Sequence, residues 1–141
     1  QGCRMYDDVD DVFRSCTHIS VDCNLSDDTH HLVNANRLAM MPGSAPDGTD
    51  CGNHVVNCAR GGIVDEVAVL NALEDGTLAS AALDVFEVEP AGDNPVLQHE
   101  HFHGSPHIGA ATLEAQIRVG TEMAGLLINF FEGERPESAI N

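Results

Sequence analysis

The chain has no tryptophan and, read through, no lysine; its aromatic side chains are one tyrosine and five phenylalanines. Its six cations are all arginine and face 23 Asp and Glu, for a formal net charge of −17. Such a surface repels the phosphates of nucleic acid and of anionic lipid, so neither is expected as a partner. Self-repulsion on this scale opposes compaction in dilute buffer. A lysine-free, carboxylate-rich surface that stays hydrated in concentrated salt is expected of a halophilic source. Also lacking are any apolar run near the roughly 20 residues of a membrane helix and any charged-then-apolar leader, so a cytoplasmic location is expected. The five cysteines are odd in number and contain no C-x-x-C pair. Reduced, buried or indifferent thiols are expected rather than a disulfide framework or nucleophiles.

What is present suffices for one domain. A chain of 141 residues that is 43% hydrophobic can hold a core. "DDVDDVF" up to Ser15 predicts a short acidic helix, and "CTHISVDCNL" a strand with Ile19 and Val21 alternating. "SDDTHHLVNANRLAMM" has apolar positions at helical spacing and stops at Pro42-Gly43. Residues 44–53, "SAPDGTDCGN", are turn formers without periodicity and predict a surface loop. "HVVNCA" is a second strand. Asp65 opens an amphipathic helix with Val67, Leu70 and Leu73 on one side and Gly76 at its end. "LASAALDVF" is a third strand and "HEHFHGSPH" a weaker fourth, and a long helix runs from Thr112 to Gly133.

Strands alternating with helices imply an α/β fold with a doubly wound parallel sheet, in which ligands bind at the carboxyl ends of the strands. Arg60 follows the second strand, Asp84 to Glu89 close and follow the third, and His107 follows the fourth, so all are expected on one edge. An arginine can hold a carboxylate with two donors and polarise an adjacent carbonyl. A histidine can move a proton near neutral pH, and a carboxylate can hold its imidazolium form. That set suits reduction of a 2-keto acid, with the hydride supplied by a nicotinamide cofactor. From the residues alone, a surface arginine is the alternative for Arg60, which flanking Ala59 and Gly61-Gly62 argue against because they admit close backbone approach. A solvated acid is the alternative for Glu89, and a structural histidine is an equal alternative for His107. A different class of function is carried by "HEHFH": on a strand, His99, His101 and His103 share a face and could serve a non-enzymatic metal- or partner-binding module.

"VVNCARGGIVDE", "LASAALDVFEVEP" and "SPHIGAATLEAQ" resemble, in order and spacing, three signature regions of the D-isomer-specific 2-hydroxyacid dehydrogenases. "DDVDDVFRSCTHISVDCNL" and "DTHHLVN" extend the resemblance more weakly, and "SAIN" is similar to the close of that family's nucleotide-binding domain. Within the family the similarity is strongest to the branch acting on 3-phosphoglycerate. The resemblance implies an NAD-dependent enzyme that oxidises it to 3-phosphohydroxypyruvate at the entry to serine synthesis, and a homodimer. It implies Arg60, Glu89 and His107 as catalytic: substrate-binding arginine, partner of the histidine, and proton donor to the carbonyl. It implies Cys58, Ala59, Arg60, Asp84, His107, Gly109 and Ala110 along the cofactor. Cys23 falls where the family has a His-x-Pro cofactor contact, with Asp22 and Asn24 beside it.

The family's domain opens with a strand, a G-x-G-x-x-G turn, a helix and a second strand ending in an acid. None of these is in the sequence, nor is the flanking substrate domain. A partial Rossmann-type domain is therefore expected, the C-terminal half of a nucleotide-binding domain over 1–141, with 44–53 an inserted surface loop. The absent strands are expected between this chain's first and second, leaving a gap within the sheet. NAD is the expected cofactor and a small 2-hydroxy or 2-keto acid the expected partner. An isolated copy is expected to bind NAD weakly or not at all and to associate.

Overall fold

A computed structural model describes residues 3–135. The chain divides into two units, Gln1–Pro106 and His107–Asn141. The closing "SAIN" lies outside the described residues.

In the first unit, helix α1 (Val9–Ser15) starts where the Asp8 carboxylate accepts the Asp10 amide, and it buries Phe13. Asp10 and Asp11 in its first turn and Arg14 in its last suit the helix dipole. Strand β1 (His18–Val21) follows. The stretch 26–41 is not one helix: it makes a turn at Ser26–Thr29, a left-handed residue at His31, and only a short helix α2 (Ala35–Leu38) capped by Asn34. Local periodicity is overridden by distant pairing. His31 N–H donates to Gly62 O, Val33 N–H to Ile63 O and Asp65 N–H to Val33 O, which makes a parallel bridge between Val33 and Val64. Arg37 ties α2 to α1 through Asp10 at 2.8 Å and also donates to Leu32 O.

Strands β2 (His54–Asn57), β3 (Ser80–Leu83) and β4 (Phe102–Gly104) complete a four-stranded parallel sheet in the order β1-β2-β3-β4. The expected gap between the first and second strands is absent. His18 pairs with His54 and Val21 with Asn57 in continuous register, so the inner edges of both strands are satisfied. Residues 44–53 fold over a turn, with a bridge from Ser44 to Asp50. They are anchored by buried Asn53, whose amide oxygen accepts Gly43 N–H while its NH2 donates to Met41 O and Thr77 O.

Helix α3 (Glu66–Glu74) begins at Asp65, whose carboxylate accepts the Ala68 amide, and ends before left-handed Gly76. Its buried stripe is Ala68, Val69, Ala72 and Leu73, whereas Val67, expected on that side, is 69% exposed. The stripe follows the i, i+1, i+4, i+5 positions that a helix over a sheet presents inward. The third strand is shorter than the nine residues read from its apolar run, because the chain leaves the ladder after Leu83. The core gathers Phe13, Val21, Val33, Leu38, Val55, Ile63, Val64, Val69, Leu78, Leu83, Val96 and Phe102. At about 25 cal/mol per Å², burying one such side chain contributes roughly 1.5–3 kcal/mol.

The second unit holds helix α4 (Leu113–Phe131), opened by Thr112, whose hydroxyl accepts the Ala115 amide, and followed by left-handed Gly133. None of its residues is buried.

Candidate functional site

Four strand ends carry the candidate residues, and buried polar groups knit the ends together. Asn57 is the last residue of β2 and is 1% exposed. Its side-chain oxygen accepts Ala59 N–H at 2.9 Å and its NH2 donates to Arg60 O at 3.0 Å. That pair of hydrogen bonds folds the chain sharply at Cys58–Arg60. From the end of β3, Asp84 N–H donates to Asn57 O, and the buried Asp84 carboxylate accepts the Ser105 hydroxyl at 2.6 Å from beyond β4. Ser105 N–H donates back to Leu83 O.

Arg60 is exposed and stands after β2 as expected. Its guanidinium donates to the carbonyl of neighbouring Ala59 at 2.7 Å, and no carboxylate of the described residues pairs with it. Arg14 and Arg37, by contrast, are both held by acids. Arg60, Ala59 and Cys58 face Asp22, Cys23, Asn24 and Leu25 across an open cleft of about 610 Å³ at the carboxyl ends of β1 and β2. A smaller hollow of about 220 Å³ joins Cys58 to Asp84, Ser105 and His103. The first cleft is in the size range of cofactor sites and offers the backbone of Cys58–Arg60 along its wall, which fits one side of an extended cofactor.

Glu89 lies in the loop after β3, and its carboxylate accepts Phe86 N–H at 3.0 Å. This loop packs directly on the Arg60 turn: a methyl group on Gly61 would fall 1.9 Å from Phe86 O. Two further carboxylates hold the loop. Glu66 accepts Glu87 N–H at 2.7 Å and also bonds Asn94, and Glu87 pairs with His31.

The first unit therefore brings together Cys23, Cys58, Ala59, Arg60, Asp84 and Glu89 on strand ends and their loops, while His107, Gly109 and Ala110 open the second unit, with His107 at a left-handed φ of 55°. The histidine strand does not form. β4 starts at Phe102, so His99 and His101 precede it, and among the described residues no three His, Cys, Asp or Glu side chains converge as metal ligands. The polar run breaks pairing early because Pro95 starts a 3-10 turn, Pro95–Gln98, capped by Asn94. Sequence reasoning missed Asn57, Glu66 and His31. Asn57 carried a signal, a polar side chain at the buried register of a strand that otherwise reads Val55 in and Val56 out. The five cysteines are all free thiols. Among the described residues no helix is long and apolar enough to cross a membrane.

Residues 1–109 match the family described as D-isomer specific 2-hydroxyacid dehydrogenase, NAD binding domain. The chain is 37% identical over 140 residues to D-3-phosphoglycerate dehydrogenase of Methanocaldococcus jannaschii, covering 99% of this chain and 25% of that one. It is 42% identical over 132 residues to the enzyme of the same name from Bacillus subtilis, covering 94% and 24%. It thus spans about a quarter of the length of these relatives. Among solved structures, the NAD-complexed D-isomer specific 2-hydroxyacid dehydrogenase from Lactobacillus delbrueckii ssp. bulgaricus superposes with a TM-score of 0.79 at 25% identity, covering 96% of this chain and 43% of that one.

Proposed function

The chain belongs to the D-isomer-specific 2-hydroxyacid dehydrogenases, as part of their Rossmann-type NAD-binding domain, and from that premise we propose that it supplies the substrate-facing half of an NAD-dependent dehydrogenase for 3-phosphoglycerate. The substrate is supported by the names of the two curated relatives. The observation that carries the reading is Arg60. In a chain with 23 acids, an exposed guanidinium at a strand end, beside the wall of a cleft, has no carboxylate partner among the described residues. A substrate carboxylate would provide one, in the two-pronged geometry that arginine favours.

Bound NAD supplies the hydride acceptor. Arg60 holds the substrate carboxylate and fixes the hydroxyl-bearing carbon. His107 takes the hydroxyl proton on a ring nitrogen, and Glu89 stabilises the imidazolium that results. Cys23, Cys58, Ala59, Asp84, Gly109 and Ala110 are the residues through which the chain would hold the cofactor. Asn57 sets the Arg60 turn, and residues 44–53, entering β2 at its amino end, form an insertion remote from this chemistry. The oxidised product is 3-phosphohydroxypyruvate, which feeds serine synthesis, and the working assembly is a homodimer.

The test follows NADH absorbance during reduction of 3-phosphohydroxypyruvate by the dehydrogenase in which this segment forms part of the NAD-binding domain, and by its Arg60→Gln variant. Expected is turnover whose KM for the keto acid rises about 100-fold in the variant, as for loss of a charge-assisted pair of hydrogen bonds of about 3 kcal/mol. Turnover that is indifferent to Arg60, or no NADH-dependent reduction of any 2-keto acid, would reject the reading.

A further inference from the structure

His31 stands at a φ of 49°, a left-handed conformation that side chains other than glycine rarely adopt. Such strain persists where surrounding contacts over-determine it, and here they do. Its N–H donates to Gly62 O at 2.8 Å, its carbonyl accepts the Asn34 side chain, and its ring Nε2 lies 2.5 Å from Glu87 Oε1. The ring also stacks on His30 with centroids 4.0 Å apart. Three segments distant in sequence therefore meet at one residue: the stretch after β1, the Gly61-Gly62 turn beside Arg60, which takes its N–H, and the loop bearing Glu89, which takes its ring.

The stacked His30 ring covers one face of that imidazole, and carboxylates approach it from two other elements. Asp65 approaches Nδ1 at 3.9 Å from the N-cap of α3, Glu87 comes from the loop after β3, and Glu66 from the first turn of α3 shares the same cleft of about 420 Å³. Among the described residues neither lysine nor arginine lines it. Glu87 is also the residue whose amide Glu66 holds, and it sits between Phe86, whose amide Glu89 accepts, and Glu89 itself. Gly61 touches the Phe86–Glu87 peptide directly, so the His31 pair clamps the same junction from the side.

We propose that His31 is a positioning residue: by pairing with Glu87 it fixes the loop that carries Glu89 against the turn that carries Arg60. The catalytic part of this inference rests on the dehydrogenase reading above; the latch itself does not. The side chains of the pair are 35% and 39% exposed. Pairs this accessible add little to global stability, so the effect is expected in the loop's local opening and in kcat rather than in the melting temperature.

The test measures hydrogen exchange of the Phe86–Glu89 segment, corrected for intrinsic rates, alongside kcat and KM. His31→Gln and Glu87→Gln are each expected to lower protection about 10-fold, the double variant to add nothing to either single one, and kcat to drop about 5-fold with KM for NAD unchanged. His31→Gly removes the ring while relieving the left-handed strain, so it folds and reads loss of the latch alone. Protection in His31→Gln equal to that of the wild type would overturn the proposal. Absence of any Arg60-dependent turnover would reject the dehydrogenase reading instead and leave the exchange measurement to decide the latch.

Discussion

Replacing Gly61 by alanine tests how tightly the Arg60 turn is pressed onto the loop after β3. The added methyl group would sit 1.9 Å from Phe86 O, 2.3 Å from its carbonyl carbon and 3.0 Å from Glu87 N, where ordinary contact begins at 3.4 Å. The two backbones must therefore part by roughly 1.5 Å. Overpacking costs about 1–3 kcal/mol where side chains can rotate away. Here the obstacle is a peptide unit, so the cost lies at the upper end. Separation also strains the neighbouring Glu87 N–H to Glu66 bond at 2.7 Å, worth about 1 kcal/mol more. A total of about 4 kcal/mol lowers the melting temperature of a domain this size by roughly 10–15 °C. Gly76→Ala is the control. Gly76 has φ 80° and nothing within 4 Å of where an alanine methyl would stand, so only conformational strain of about 1–2 kcal/mol applies. Thermal and urea unfolding of both variants in the same buffer separate the two effects. A Gly61→Ala protein no less stable than Gly76→Ala would refute the close packing from which the cost was worked.

Asn57→Ala leaves Ala59 N–H and Arg60 O without their buried partner, and is expected to cost about 2–4 kcal/mol by urea unfolding while loosening the turn; an unchanged midpoint would contradict it. The Thr49 amide and hydroxyl hold the Asp47 carboxylate below its ordinary value of 3.8. The charged form is thus favoured in the fold, so Asp47 contributes stability above pH 3.8 and loses it as pH falls through the lower folded value. Asp47→Ala is accordingly expected to be destabilised at pH 7 and to converge on the wild type in acid, as measured by unfolding at the two pH values. With a net charge of −17, screening is expected to raise the melting temperature between dilute buffer and molar KCl; a flat response would show that repulsion is not limiting.

Helix ends are readable from the chain because their chemistry is local. Asp65 and Thr112 accept amides three residues on, and Gly76 and Gly133 take the left-handed turn that only glycine enters freely. The stretch after β1 reads as a helix and is not one, because what shapes it lies some thirty residues away, at Gly62, Ile63 and Val64, and no local period reports that. The buried face of α3 departs from its expected position for a related reason: Val67 and Val69 are equally apolar, and only the sheet beneath selects Val69. The expected gap between the first two strands is closed because adjacency is a property of pairing, which β1 and β2 settle by their register. At the site, Arg60 and Asp84 stand out as charged residues ending apolar strands, whereas His31 and Glu66 act through partners that adjacency in the chain does not reveal.

In this sheet each strand lies beside the one synthesised just before it. A strand emerging from the ribosome therefore never has to wait for a later segment to find its neighbour, nor insert between two strands already joined. The spans closed are also successively shorter, from β1–β2 through β2–β3 to β3–β4. Loop closure becomes less unfavourable as the chain lengthens, so the sheet can grow in one direction, each pairing presenting a finished edge to the next strand.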